Sequence, residues 1–347
     1  MRTDLREMDK IDFVLTWVDG SDKEWLAQKR KYEKLGDISS CTDVNANSEC
    51  RYRDYGMLKY WFRAVERFTP WVNHIFFVTC GQKPEWLNEA HPKLRLVNHT
   101  DYIPAEYLPT FQSNCIELNL HRIADLSERF VLFNDDQFIL RTISPDFFYK
   151  EGLPVIPCDL SIPRWLGYSN PSRVMLNNSG ILKWSMDVER MVWRHIWKYI
   201  DVFALGVSRA VKNIVSFSVN RTLIPGTFGH LPMPHLKSTF EEIWRVQPSA
   251  MRASSSRFRN DACINHWLAS AWNMVSGNFF PTNEKYNGEL IQLNEDNLSH
   301  ACELIRRQLL PEICLNDDGS AKDADYCAME AVKAFEELLP EKSSFEK

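Results

Sequence analysis

The first 150 residues alternate short apolar runs with longer stretches of helical periodicity. The apolar runs are rich in β-branched and aromatic residues, and they predict buried strands at residues 11–18, 74–79, 94–97 and 129–133. Between the strands, the spacing of apolar residues predicts helices at residues 24–35, 58–68 and 115–126. Strands that alternate with helices in this way indicate an α/β fold with a mostly parallel sheet.

After residue 150 the pattern changes to helices separated by segments rich in Pro and Gly. The periodicity predicts helices at residues 189–203, 240–245, 262–275 and 323–339. Residues 153–163 are predicted to be extended, residues 220–239 to form a loop, and the polar residues 36–50 to form a mobile loop. We place a domain boundary near residue 150 and expect regions 1–150 and 151–347 to complete one active-site cleft.

Distinctive loops stand directly after three of the predicted strands. Asp19 follows the first strand, Gly81 follows the second, and Asp135 follows the fourth. Ligands of parallel sheets gather at the carboxyl ends of the strands. We therefore expect these three loops to converge on one crevice.

The segment Asn134-Asp135-Asp136 carries the first candidate chemistry. Adjacent carboxylates at a strand end suit Mg²⁺ or Mn²⁺, because these hard cations prefer oxygen ligands and in turn hold a diphosphate. The alternative is a turn with capping aspartates, which is the commoner use of this sequence.

The segment 19–22 (DGSD) is a second candidate. Its backbone N–H groups could bind phosphate, and the carboxylate of Asp19 could bind ribose or a metal. Asp-Gly is also a common turn, so this segment alone is weak support for a site.

Two histidines, His230 and His235, lie with Lys237 in a loop that Gly and Pro hold in a defined shape. A histidine with a pKa near neutrality suits a general base that deprotonates an attacking hydroxyl. The alternative is a structural role, which is the more frequent one for a single histidine.

Arginines and a second acidic segment complete the candidates. Arg257 and Arg259 lie close to Asp261, and paired arginines can clamp phosphoryl oxygens. Without further context, a solvated basic turn is the preferred interpretation of these residues. The segment 316–318 (NDD) follows an apolar patch at residues 312–315, and capping of the last helix is an equal alternative to a site role.

Charge and cysteine content exclude some classes of protein. A net charge of -5 and a pI of about 6.0 argue against nucleic acid as the main partner. The nine cysteines are scattered without a C-x-x-C pair, which argues against a zinc site or a disulfide framework and favours reduced thiols in a cytosol. From the charged N-terminus we expect no signal peptide, and no apolar run approaches the roughly 20 residues of a membrane span. We expect a soluble protein, or one held at a membrane only by its surface.

Taken in order, these segments resemble the four conserved blocks of the Stealth family. The family includes bacterial capsular and exopolysaccharide phosphotransferases and the lysosomal-enzyme N-acetylglucosamine-1-phosphate transferase of animals. The first block resembles residues 11–22 (IDFVLTWVDGSD), and the second resembles residues 51–148, including LPTFQSN and FVLFNDDQF. The third resembles residues 230–272, and the fourth resembles residues 313–320 (ICLNDDGS).

The resemblance implies a nucleotide-diphospho-sugar core of the glycosyltransferase A type in region 1–150, with helical elements from region 151–347 completing the acceptor and catalytic side. It implies transfer of hexose-1-phosphate from a UDP-hexose or UDP-N-acetylhexosamine to a hydroxyl of an oligo- or polysaccharide. The products would be a phosphodiester and UMP. The implied cofactor is Mg²⁺ or Mn²⁺, and the implied location is the bacterial cytoplasm, with peripheral membrane association as an option.

The resemblance also assigns roles to individual residues. Asp135 and Asp136 would hold the metal or serve as the base, with Asp136 the more direct contact. The catalytic residues would be Asp136, His235 or His230, Arg257 and Asp261. The residues expected to bind substrate are Thr16, Trp17, Asp19, Gly20, Arg53, Asp54, Glu117, His121, Arg122, Asn134 and Asn316.

Two other classes of function compete with this hypothesis. A glycosyltransferase would use the same fold and donor but release UDP. A non-catalytic binding protein of polysaccharide assembly would keep the fold without turnover. The acidic, histidine and arginine residues are all present, which favours an enzyme, and the order of the motifs favours phosphotransfer.

Overall fold

A computed structural model of the chain describes residues 10–35, 41, 47–160, 170–219, 229–283 and 287–347. Most of the loop predicted over residues 36–50 and parts of the segments predicted over residues 153–163 and 220–239 lie outside these ranges.

The strands are β1 (Ile11–Thr16), β2 (Ile75–Thr79), β3 (Leu94–Asn98), β4 (Arg129–Asn134), β5 (Gln137–Ile139), β6 (Tyr149–Lys150), β7 (Leu153–Pro157), β8 (Met233–Leu236), β9 (Phe280–Thr282), β10 (Gly288–Gln292) and β11 (Glu312–Asn316). The helices before residue 200 are α1 (Lys23–Lys34), α2 (Leu58–Phe68), α3 (His99–Tyr102), α4 (Ser113–Leu118), α5 (Asn170–Ser185), α6 (Val188–Arg194) and α7 (Ile196–Ile200). Those after it are α8 (Val202–Leu205), α9 (Val207–Val219), α10 (Lys237–Val246), α11 (Pro248–Ser254), α12 (Trp267–Ser276), α13 (Leu298–Arg307) and α14 (Ala324–Leu338).

The central sheet has the strand order β3-β2-β1-β4-β8. Its first four strands are parallel, and β8 pairs antiparallel with β4 at the edge. The prediction of an α/β fold with a mostly parallel sheet is therefore confirmed. The predicted strand positions hold as well. Strands β1, β2 and β4 are buried on both faces and appear in the sequence as continuous apolar runs, whereas the edge strand β3 is partly exposed.

Side chains of alternate residues in the central strands enter two separate hydrophobic cores. Phe13 and Phe77 belong to the core that contains α2, α13 and α14. Val14 and Phe76 belong to the core on the opposite face, which contains α10 and α12. Each fully buried apolar side chain contributes about 1.5–3 kcal/mol. Helices on both faces thus hold the sheet rigid beneath the loops at its carboxyl edge.

Segments from both sides of residue 150 share sheets in this fold. Strand β8 completes the central sheet, and β11 pairs with β5 in a second sheet of order β10-β11-β5. The backbone N–H of Leu315 also donates to the carbonyl oxygen of Asp136 (2.8 Å). This pairing brings segment 316–318 beside segment 134–136. The boundary near residue 150 stays a prediction.

Two predicted helices are interrupted in the structure. The helix predicted over residues 115–126 is α4 followed by a 3₁₀ turn, since Asn119 turns its side chain back onto the carbonyl of Cys115 (2.8 Å). The helix predicted over residues 189–203 is three short helices, because Asp201 caps a new helix by accepting from the N–H of Phe203 (2.9 Å).

Strand β8 corrects the prediction that His235 lies in a loop. Pro232 and Pro234 suggested a loop, but prolines are compatible with an edge strand, where one row of N–H groups has no partner to reach. The sequence prediction also missed α5, α9 and α13. Within the described residues, no helix combines the length and the apolar character needed to cross a bilayer.

Candidate active site

A cleft of about 690 Å³ opens along the carboxyl edge of the central sheet. It is lined at the ends of four strands by Thr16, Cys80, His99 and Asn134. This volume lies within the range of about 300–1,000 Å³ that is usual for small-molecule sites. The segments after β1, β2 and β4 therefore meet at one crevice, as the sequence predicts, and Asp135 lines it, whereas Asp19 and Gly81 do not.

The floor of the cleft is acidic. Asp135 and Asp136 follow β4 directly, and Oδ2 of Asp136 lies 3.7 Å from Nε2 of His230. Nδ2 of Asn134 lies 3.1 Å from the same ring nitrogen. Burial, and then the nearby carboxylates of Asp136 and Asp54, raise the pKa of Asp135 well above its ordinary value. Neighbouring carboxylates repel each other when both are ionised. A bound cation would offset this repulsion and favour the ionised carboxylates.

The donor atoms at this floor fit a hard divalent cation. Oδ1 of Asp136 is buried without a hydrogen-bond partner among the described residues, so it is available to a metal ion. Asp136, His230 and Cys314 each place one ligand atom within 4.8 Å of the others. Burial, and then the neighbouring Asp136, raises the pKa of the Cys314 thiol well above its ordinary value. Hard cations such as Mg²⁺ prefer carboxylate oxygens to sulfur, so the aspartates are the suitable ligands for such an ion.

A buried glutamate and His266 line another part of the cleft, and His235 lies behind His266. Burial raises the pKa of Glu117 to about 7, although the charge of Arg259 opposes the shift. Nε2 of His266 lies 4.0 Å from Oε2 of Glu117, and Nδ1 of His266 lies 3.0 Å from Nε2 of His235. Burial lowers the pKa of His235 to about 3 and that of His266 well below its ordinary value. Both imidazoles are therefore neutral at neutral pH, and one ring donates a hydrogen bond to the other.

Cationic side chains line another part of the cleft. Arg53 lies 3.3 Å from Oδ2 of Asp317, to which the hydroxyl of Tyr55 also donates. Arg259 donates from Nη2 to Oγ of Ser113 (3.1 Å). An acidic floor beside arginines can hold a metal ion and an anionic ligand at the same time.

The structure brings most of the residues expected from the sequence to this cleft. Those that line it are Thr16, Trp17, Arg53, Asp54, Glu117, Asn134, Asp135, Asp136, His230 and Asn316. The others lie outside its lining: Asp19, Gly20, His121, Arg122, His235, Arg257 and Asp261.

His235 lies fully buried in β8 and contacts His266, which lines the cleft. Arg257 packs over the ring of Tyr32 at 4.8 Å and donates to the carbonyl of Leu108 (3.2 Å). Asp261 forms a salt bridge of 2.7 Å with Arg173. These contacts fix the segment that carries Arg259, two residues after Arg257, and His266, five residues after Asp261.

The remaining outlying residues have local partners. The guanidinium of Arg122 lies 4.7 Å from the ring centre of Trp244 in α10. The ring of His121 packs against Trp244 and against Phe240 of the same helix. The carboxylate of Asp19 accepts from the N–H of Ser21 (2.8 Å). Gly20 approaches the backbone of Tyr52 so closely that a Cβ would lie 1.9 Å from its carbonyl oxygen.

Sequence reasoning missed His266 as a site residue, and it favoured Arg257 over Arg259. His266 stands among apolar residues at the start of α12, where a histidine ordinarily contributes to a core. The signal available was the segment NDACINH, which places polar residues directly before a helix that enters the cleft.

An acidic floor and arginines at the carboxyl edge of a parallel sheet define the class of enzyme that handles phosphorylated ligands. Comparison with known proteins agrees. Residues 9–37 match conserved region 1 of Stealth proteins, and residues 51–156 match conserved region 2. The third and fourth blocks stay predictions.

Full-length relatives carry the comparison further. A capsular polysaccharide phosphotransferase WcwK of Streptococcus pneumoniae is 40% identical over 98% of this chain and 100% of its own length. A receptor polysaccharide phosphotransferase WefC of Streptococcus oralis is 38% identical over 98% of this chain and all of its own. Among solved structures, the glycosyltransferase GlyE of Streptococcus pneumoniae TIGR4 aligns with 96% of this chain and 63% of its own, with a TM-score of 0.42 and 8% identity. This chain belongs to the Stealth family, and it is a phosphotransferase.

Proposed function

We propose that this protein transfers hexose-1-phosphate from a UDP-sugar to a sugar hydroxyl in capsular or exopolysaccharide synthesis. The products are a phosphodiester and UMP, and the reaction takes place in the bacterial cytoplasm. The observation that carries the proposal is the pairing of an acidic floor with arginines in one cleft, in a chain whose relatives are named polysaccharide phosphotransferases.

Asp135 and Asp136 are the residues that would hold Mg²⁺ or Mn²⁺. Support comes from their adjacent carboxylates and from the buried, unbonded Oδ1 of Asp136. When bound, such a cation neutralises negative charge on the phosphoryl oxygens of a diphosphate.

The donor lies along the strand ends in this proposal. Thr16 and Trp17 contact the nucleotide, and Arg53 and Arg259 face the diphosphate, because these four side chains line the cleft around the acidic floor. Guanidinium groups bind phosphoryl oxygens in a bidentate manner and stabilise the charge that develops there during transfer.

The acceptor hydroxyl attacks the β-phosphorus of the donor. A new bond forms between the acceptor oxygen and phosphorus, and the bond from that phosphorus to the bridging oxygen breaks, which releases UMP. His230 accepts the hydroxyl proton, since its Nε2 lies beside Asp136 and Asn134 at the reacting end of the cleft.

Glu117 and His266 face the same space and serve proton transfer to the leaving group. A glutamate with a pKa of about 7 is present in both protonation states at neutral pH, which is the condition for efficient acid catalysis. His235 is a positioning residue that orients His266 through their 3.0 Å contact. Arg257 and Asp261 hold the segment that carries Arg259 and His266.

The proposal is tested by replacing the central carboxylate. Asp136→Asn keeps the shape of the side chain and removes its charge, so turnover of a UDP-sugar in the presence of an oligosaccharide acceptor should fall at least about 100-fold. Asp146→Asn makes the same substitution at an exposed position away from the cleft and should leave turnover unchanged. Equal turnover in both variants would contradict the assignment.

The nucleotide released separates the proposal from its nearest alternative. UMP indicates phosphotransfer, whereas UDP indicates attack on the sugar carbon by a glycosyltransferase. Failure to release either nucleotide from any donor would support a non-catalytic binding protein.

A further inference from the structure

Helices α5 to α9 expose aromatic side chains that the fold does not cover. Phe203 is 96% exposed, Trp184 is 86% exposed and Trp197 is 63% exposed. Trp193 is half-exposed, and its ring packs against Phe217 of α9 with centroids 4.9 Å apart. Single exposed apolar residues need no explanation, but several large exposed aromatics within residues 184–203, on helices of which α7 and α8 pack against α9, are typical of an interaction surface.

Helix α9 continues this surface with aliphatic residues. Val207, Val211, Ile214 and Val215 are all exposed and follow helical spacing, so they form one stripe along the helix. The opposite face of α9 packs against the protein, and Asn213 on that face is fully buried. The helix is therefore apolar toward the solvent, where a surface helix of a globular protein is ordinarily polar.

Basic residues accompany the apolar ones along the chain. Residues 183–215 contain six Lys or Arg and three Asp or Glu, a formal charge of +3, whereas the whole chain carries -5. Of these cations, Arg209 and Lys212 pair with Asp159, while Lys183, Arg190 and Arg194 are exposed beside Trp184 and Trp193 in the sequence. We define the aromatic surface as the exposed side chains of residues 183–215.

We propose that this surface binds the interface of an anionic lipid bilayer. Trp and Phe side chains insert at the level of the lipid headgroups, and Lys and Arg bind anionic headgroups. A surface that combines them is therefore more stable at the bilayer interface than in water. Two-fold packing of a second copy would instead bring two surfaces of formal charge +3 together. Charge complementarity thus favours the bilayer as the occupant.

The surface is connected to the cleft by a single helix. Val174 near the start of α5 lines the cleft, and Trp184 stands near its end. Ten residues of α-helix span about 15 Å. Binding through Trp184 therefore holds the cleft close to the membrane, within reach of a glycan acceptor anchored in the same bilayer. This last consequence rests on the proposed function, whereas the binding itself does not.

Vesicle flotation tests the proposal. The protein should float with vesicles that contain about 30 mol% phosphatidylglycerol in phosphatidylcholine, and much less with phosphatidylcholine alone or at high salt. The triple variant W184S/W197S/F203S should lower vesicle affinity at least about tenfold. A matched variant, L35S/L309S/M329S, changes exposed apolar residues elsewhere and should bind within about twofold of the unchanged protein.

Other measurements separate this inference from folding and from catalysis. Both triple variants should keep the circular dichroism spectrum, and turnover with a water-soluble acceptor should be the same in both. Absence of flotation with anionic vesicles, or equal flotation of both triple variants, would overturn the proposal. It would also be overturned if the protein is a dimer in solution that W184S/W197S/F203S converts to a monomer, since a second copy would then occupy the surface.

Discussion

Replacing Glu117 by Gln tests whether the cleft contains a carboxyl group that titrates near neutral pH. Burial raises the pKa of Glu117 from 4.5 to about 7, and the charge of Arg259 and a hydrogen bond from Ser113 lower it in part. Glu117 is only 3% exposed, so solvent screens these effects little.

The sign and the size of the effect follow from linkage between protonation and folding. A carboxyl group with a raised pKa in the folded state binds its proton more tightly there than in the unfolded chain. The resulting stabilisation is complete below the unfolded pKa of 4.5 and is lost as pH rises through about 7. A shift of this size corresponds to about 3 kcal/mol in total, of which about 2.5 kcal/mol is lost between roughly pH 5 and pH 8.

Urea unfolding of the protein and of Glu117→Gln over this pH range measures the effect. The free energy of unfolding of the unchanged protein should fall relative to the variant by about 2.5 kcal/mol, because Gln has no proton to lose. Glu106→Gln, at an exposed site, should follow the unchanged protein at every pH. A constant difference between the protein and Glu117→Gln would refute the reasoning, since it would mean that Glu117 has an ordinary pKa.

Three further substitutions test separate parts of the account. Gly20→Ala should lower the free energy of unfolding by about 1–3 kcal/mol in urea titrations, since the added Cβ meets the carbonyl of Tyr52; an unchanged midpoint would contradict this close approach. Asp12→Ala should cost about 3 kcal/mol or more by the same assay, because the buried carboxylate accepts three hydrogen bonds at the amino end of the sheet, and a smaller loss would mean that water replaces it. His266→Gln should lower turnover about 100-fold and leave the pH dependence near neutrality unchanged, because His266 is already neutral there; full activity would remove His266 from the reaction.

The strands and the acidic floor could be predicted from the sequence because their signals are local. Strands β1, β2 and β4 are buried on both faces, so each appears as an unbroken apolar run. Asp135 and Asp136 follow such a run directly, and a parallel sheet brings strand ends together without any knowledge of the loops.

The rest of the site depends on contacts between distant segments. His266 becomes a site residue only because α12 packs near Glu117, and nothing near either residue in the sequence indicates the other. His235 and Arg257 match the expected motifs, but packing against β4 and Tyr32 turns them away from the cleft. Helix α9 escaped prediction since apolar residues on both of its faces hide the usual periodicity.

The position of radioactive phosphorus after turnover tests the central claim most directly. A UDP-sugar labelled at its β-phosphorus is incubated with the protein, a divalent cation and an oligosaccharide acceptor, and the products are separated. The account predicts that the label moves into the glycan as a phosphodiester while unlabelled UMP is released. Label recovered in UDP, with a glycan product free of phosphorus, would contradict phosphotransfer and identify a glycosyltransferase instead.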